Sequence, residues 1–181
     1  MYVRAYFILL TIILFIGCEL EETKKNQVYN PQQKLEELGI QLSSPSIPVA
    51  NYVNTVKTGN LVFISGKGPL KSDGKYILGK LGENLTVEQG YEAARLTAIN
   101  LISTLKASIG DLSKVKRIVR VTGMVNATSD FIDHPKVING CSDLLVEVFG
   151  DNGKHTRAAV GMNSLPLDIA VEIDMVVEVF N

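Results

Sequence analysis

The sequence predicts an α+β domain, a mixed β-sheet with two helices on one face, and three observations carry that prediction. Two short β-branched runs separated by Thr58, Gly59 and Asn60 read as a hairpin. Two longer segments repeat apolar residues at three- and four-residue steps, as amphipathic helices do. The chain then closes on two more runs of strand character. Hairpin, helix, strand, helix and two strands is the order of a layer of helices laid on a single sheet. With 181 residues, 46% of them hydrophobic, there is material for one domain with a real core.

Each element follows from its residues. Residues 52–56 and 61–65 are the hairpin strands. The loop-rich stretch GKGPLKSDGKYILGKLGEN comes next, with SDG as a turn and 76–78 as a short strand. Thr86 and Gln89 make a capping box that opens the strongest helix, and Gly110 stops it. Tyr91, Ala94, Ala98, Leu101, Leu105 and Ile109 mark its buried stripe. Residues 116–125 alternate in part, placing Val119, Val121 and Val125 on one side and Arg120 and Thr122 on the other. Pro135 starts a second helix whose apolar set is Val137, Cys141, Leu144, Leu145 and Val148, with Gly150 at its end. Strands at 156–162 and 169–180, joined by NSLPLD, complete the sheet. Its second face carries Val and Ile, which further copies of the chain would cover economically, so a homo-oligomer is expected.

Ahead of the domain, residues 5–17 read AYFILLTIILFIG, with the hydroxyls of Tyr6 and Thr11 as the polar side-chain groups and Arg4 as the one preceding charged side chain. This run falls short of the roughly 20 residues that cross a bilayer and suits the apolar region of a secretory signal. It ends at FIGC, which resembles a bacterial lipobox. Residues 1–17 are therefore read as a signal peptide and Cys18 as the lipidation site of an exported lipoprotein, held at the membrane in the periplasm or cell envelope. An ordinary signal peptide, or an uncleaved anchor with Cys18 incidental, is the other reading. Residues 18–47 form a polar tether with a short peripheral helix, PQQKLEEL, capped by Asn30, and a linker, LSSPSIP. The domain proper is assigned to 48–181.

Eighteen basic against nineteen acidic residues leave a net charge of -1, which argues against a nucleic-acid partner and for a small molecule. Two separated cysteines and two histidines fit no zinc template, and no metal or cofactor is expected. His134 and His155 are read as exposed loop residues without a role. Cys141 falls on an apolar stripe, where a thiol behaves as a small hydrophobe.

Two stretches, NYVNTVKTGNLVFISGKGP and GKHTRAAVGMNSLPLDIAVEIDMVVEV, resemble signatures of the reactive-intermediate deaminase (Rid, YjgF-type) family. The resemblance covers residues 48–181 in order and spacing. It implies a chorismate-mutase-like fold, a homotrimer, and ligand sites in clefts between subunits. It also implies hydrolysis of enamine or imine intermediates, such as 2-aminoacrylate, to a 2-keto acid and ammonia. On that pattern Arg157 anchors a substrate carboxylate by two parallel hydrogen bonds, and Glu172 is the proton acceptor beside the imine carbon. Tyr52, Ser65, Gly66, Asn139 and Ala158 line the pocket by the same resemblance. Taken without the motif, a lone strand arginine or glutamate is ordinarily a solvated or salt-bridged surface residue.

The chain departs from the pattern at Ala159, where several active relatives carry Cys, and over NATSDFIDHPK, which matches poorly. It looks closer to a branch labelled as an endoribonuclease. Enamines form beside cytoplasmic enzymes and hydrolyse quickly, so an exported member would meet few of them. A non-catalytic, carboxylate-binding trimer is the alternative function, and a ribonuclease is the least supported, lacking excess positive charge and a catalytic histidine pair.

Overall fold

The computed structural model describes residues 29–48 and 50–180; residues 1–17, read above as a signal peptide, and Cys18 lie outside them. Among the described residues three helices, α1 (Pro31–Glu37), α2 (Val87–Ile109) and α3 (His134–Phe149), accompany five strands. The strands are β1 (Thr55–Thr58), β2 (Leu61–Lys67), β3 (Val115–Asn126), β4 (Thr156–Met162) and β5 (Val171–Val179). They form one mixed sheet in the order β1-β2-β5-β3-β4, with β3 and β4 parallel and every other pair antiparallel. The α+β class read from the sequence is what the chain adopts. Among the described residues no helix is long and apolar enough to cross a membrane.

The core lies between the long helices and one sheet face. On β5, Val171, Ile173, Met175, Val177 and Val179 are buried while the residues between them are half-buried, the period-2 pattern of a strand with one covered face. The α2 N-terminus is the capping box expected of Thr86 and Gln89, with both reciprocal bonds made. Ala94, Ala98, Leu101 and Leu105 of its stripe are fully buried. All five apolar residues assigned to the second helix are buried on α3.

Five details differ from the sequence reading, each for a local reason. Residues 76–78 form no strand, because Tyr76 bridges to Leu70 and Leu78 to Ile169, two different partners. The strand β1 begins at Thr55 because residues 50–52 close a turn, Tyr52 N–H to Ala50 O at 2.8 Å. On β3 the register slips between Ile118 and Arg120, so the core-facing pair is Ile118 and Val121, and Val119 occupies the bulge. The strand β5 starts at Val171 because Pro166–Asp168 forms a 3-10 turn with Leu167 and Asp168 at φ 57° and 60°. The short helix is not peripheral: Leu35 is fully buried in the core and Tyr29 donates from its hydroxyl to Glu147 O on α3. Burying one leucine is worth about 1.5–3 kcal/mol. The following segment is tied down as well, since Ser103 donates to Ser43 O and Asn54 Nδ2 donates to Ser46 O at 2.9 Å. The packed unit thus takes in residues upstream of 48.

Candidate active site

On the edge strand β4, Arg157 sits opposite Val121 of β3. Val121 is fully buried beneath the helices, and paired residues share a face, so Arg157 leaves the sheet on the helix side. There it meets α3, where its Nη1 donates to Asn139 Oδ1 and to Ser142 Oγ, both at 2.9 Å. The position of α3 depends on Gly140, because a Cβ at that residue would lie 2.0 Å from the backbone oxygen of Tyr91 on α2. The bare glycine lets the helices close together.

The network continues behind the arginine. Ser142 Oγ is 3.0 Å from His155 Nε2, and His155 Nδ1 is 2.6 Å from Gly153 O. A carbonyl can only accept, so geometry assigns the imidazole proton to Nδ1 and leaves Nε2 as an acceptor. Ser142 then donates to His155 and accepts from Arg157, and every proton in the chain has one place. Burial holds the His155 pKa below its ordinary 6.5; the Gly153 bond opposes this and the nearby guanidinium reinforces it. The neutral ring that the hydrogen bonds require is the form the surroundings favour. Arg157 is exposed, and its Nε and Nη2 bond to no described residue, which leaves one edge of the fork for a carboxylate.

On β5, Glu172 sits opposite Met124, three regular steps along β3 from Val121. An odd number of steps puts it on the other face of the sheet. It is half-buried, and burial first, then the like charge of Asp174, raises its pKa above 4.5. Against it lies the irregular stretch of β2, where the register shifts between Ile64 and Lys67. A Cβ on Gly66 would fall 2.1 Å from Glu172 Oε1, so the carboxylate rests where only glycine leaves room. Tyr52, 49% exposed, lines a cleft together with Gly66. Ser65 donates from its hydroxyl to Val53 O and, at 3.3 Å, to Asn54 O, which makes it a strut for the segment before β1.

The predicted residues therefore form two clusters. Arg157 and Asn139 are brought together; Glu172 and Gly66 are brought together, with Ser65 next to Gly66 in β2, and Tyr52 shares a separate cleft with Gly66. Ala158, next to Arg157, pairs with Thr122 and faces the open side with Glu172. Within one chain strand alternation sends the Arg157 and Glu172 side chains to opposite faces of the sheet; the cleft the resemblance implies is one between subunits. The sequence reading passed over Ser142 and discarded His155, which is half-buried. The signal available for the histidine was its spacing, two residues ahead of Arg157 in an extended run. His134 is the first residue of α3 and packs edge-on to Phe131 at 5.3 Å. Burial pushes the Cys141 thiol up to about 12, so it is inert near neutral pH. Among the described residues no three His, Cys, Asp or Glu side chains gather as metal ligands.

Residues 32–179 match the profile of a family described as "YjgF/chorismate mutase-like, putative endoribonuclease". Protein TCP17 of Trypanosoma cruzi is 42% identical over 148 residues, covering 81% of this chain and 92% of its own length. A crystal structure of an Agrobacterium tumefaciens protein of unknown function is 42% identical with a TM-score of 0.76, over 83% of this chain and 93% of that one. A structure described as a "putative endoribonuclease" from Shewanella oneidensis is 34% identical with a TM-score of 0.80, over 83% and 99%.

Proposed function

The chain belongs to the YjgF/chorismate mutase-like family, and from that premise we propose that it hydrolyses small imines or enamines bearing a carboxylate, at sites completed by a second copy of itself. The observation that carries the reading is Arg157: one edge of its guanidinium is fixed by Asn139 and Ser142 and the other is free and exposed. An exposed arginine held this firmly, with no acidic partner among the described residues, is prepared for an incoming carboxylate. Glu172 supplies the complementary half, since a carboxylate with a raised pKa is a stronger base than an ordinary one.

In this mechanism Arg157 of one copy binds the substrate carboxylate and Glu172 of another takes a proton from a water near the imine carbon. The water oxygen bonds to that carbon, the proton passes to nitrogen, and collapse of the carbinolamine releases ammonia and the 2-keto acid. An enamine first takes a proton from water on its terminal carbon and gives one up from nitrogen, which yields the imine. A homotrimer joined through the open sheet face, where Phe63 is 44%, Val56 55% and Val160 41% exposed, would give each Arg157 a foreign Glu172.

Subunit mixing tests the reading. Arg157→Ala and Glu172→Gln should each lower keto-acid release from an oxidase-generated imino acid by about 100-fold or more. Unfolded and refolded together, the two inactive variants should regain part of the activity, because some interfaces receive both native residues. Wild-type release no faster than buffer would end the deaminase reading. Saturable, Arg157-dependent binding of 2-keto acids without turnover would replace it with a carboxylate-binding trimer. The net charge of -1 lends no support to a ribonuclease. Lipidation at Cys18 and export remain part of the proposal, and labelled palmitate that enters Cys18→Ala as readily as wild type would remove them.

A further inference from the structure

On the helix side of β2, away from both clusters' charged groups, Lys67 is 8% exposed. It pairs with Ile173, whose side chain is fully buried, and so enters the layer between sheet and α2. Its ammonium donates to Asn54 Oδ1 and to no other described residue. Asn54 is itself anchored through Nδ2 to Ser46 O, so it offers a fixed neutral dipole and no charge. No carboxylate pairs with Lys67 among the described residues, and burial alone accounts for its lowered pKa. Two of its three donors are left over.

A buried charge is ordinarily paired, because removing an ammonium from water costs several kcal/mol. Here the surroundings supply no pair and instead open into a cleft of about 90 Å³, roughly the space of three waters. Its wall includes Lys71, Asn100, Thr104, Tyr76 and Tyr52, with no Asp or Glu among the lining residues. Asn100 spends both Nδ2 protons on Gly68 O and Leu70 O, which fixes the loop carrying Lys71 to α2. The hollow therefore has two cations, several neutral polar groups and a rigid frame, and what it lacks is negative charge.

We infer that this cleft binds a small oxyanion, a short carboxylate or inorganic phosphate, with Lys67 as the central cation and Lys71 at the mouth. Lysines act on such ligands as point charges and accept either geometry, unlike the planar fork of an arginine. The site lies on the opposite side of the sheet from Glu172, and the inference does not depend on the deaminase reading. Gly66 borders both this cleft and Glu172, so an anion held here would lie close behind that carboxylate.

The test is calorimetry and thermal melting of the full chain with sodium phosphate and, separately, sodium pyruvate, against chloride at equal ionic strength. One of the two should bind saturably and raise the melting temperature in step with the logarithm of its concentration. Lys67→Gln, which keeps a donor for Asn54 without the charge, should weaken binding at least tenfold, and Lys71→Ala by a few-fold. The Lys67-dependent part of the binding should persist in Arg157→Ala, a variant that removes whatever hold the proposed imine site has on pyruvate, and this separates the two sites. In anion-free buffer Lys67→Met should melt at or above the wild type, since it removes an uncompensated ammonium. Phosphate binding without pyruvate binding identifies the anion as phosphate, and the reverse identifies a carboxylate. Absence of saturable binding for both, equal binding by Lys67→Gln, or loss of the Lys67-dependent part in Arg157→Ala would each overturn the inference.

Discussion

At the β4–α3 edge a cation stands exposed and is aimed by hydrogen bonds, whereas on the open sheet face an anion is half-buried and aimed by the shape of the backbone beside it. Arg157 owes its direction to Asn139 and Ser142, and Ser142 owes its own to His155. Glu172 owes its place to the missing side chain at Gly66. A directional network keeps a group solvated while narrowing its orientation; a steric cradle keeps it where water is scarce and shifts its proton affinity. The first suits ligand capture and the second suits proton transfer. Substitutions should therefore injure the two regions in different currencies.

The largest effect should come from Gly140→Ala, which attacks the arginine side at its support. The new Cβ would meet backbone, the Tyr91 oxygen at 2.0 Å, and backbone cannot rotate away. Helices α2 and α3 must separate, at a cost of about 3 kcal/mol, the upper part of the overpacking range. In a chain of this size that corresponds to roughly 6–12 °C in melting temperature. Calorimetry or a denaturant melt reads the loss. Wild-type stability in this variant would mean that the helix crossing does not set the reach of Asn139 and Ser142.

Gly66→Ala, by contrast, meets the end of a flexible side chain, 2.1 Å from Glu172 Oε1, and Glu172 can swing aside. Stability should fall by about 1 kcal/mol, near the mild end for overpacking. Imine hydrolysis should fall by about tenfold or more as the carboxylate is displaced. Adding Glu172→Ala should restore much of the stability and none of the activity. A double-mutant cycle with no coupling between the two positions would remove the steric account.

This asymmetry also explains what could be read in advance. The capping box at Thr86, the α3 stripe and the exact span of β4 are local patterns, and local patterns survive in sequence. Arg157 and Glu172 were identifiable through their motif, but the face each occupies depends on the pairing of both strands with β3, a register set by distant chain segments. The Val119 bulge reverses parity within one strand for the same reason. Ser142 and His155 come together only when α3 docks over β4, 13 residues apart in sequence, and neither is unusual in its own neighbourhood. The helix carrying Leu35 reads as peripheral in the sequence because its cover comes from elsewhere in the fold.

His155→Phe removes the acceptor that orients Ser142 while filling the same half-buried space. Ser142 is then free to turn its donor toward the guanidinium, and the precise aim of Arg157 is lost. KM for a carboxylate imine should rise about three- to tenfold, on the order of one hydrogen bond, with kcat changed less. His155→Gln, whose amide oxygen can accept from Ser142, should recover part of the affinity. A fall in kcat at constant KM would instead place the histidine with the chemistry.

The smallest effects are the most discriminating, because the two regions should respond to pH with opposite signs. The folded His155 pKa lies below 6.5, so between that value and 6.5 the unfolded chain binds more protons. Its contribution to stability is present above 6.5 and is lost as pH falls through the folded value. The folded Glu172 pKa lies above 4.5, so the folded chain holds its proton longer. That contribution is present below 4.5 and is lost as pH rises through the folded value. In urea unfolding from pH 4 to 8, Glu172→Gln should gain on the wild type as pH rises and His155→Phe should gain as pH falls. The differences between variant and parent cancel every other titrating group the proteins share. Two difference curves of the same sign would mean that burial does not act oppositely on the two groups, and the distinction between network and cradle would have no electrostatic consequence.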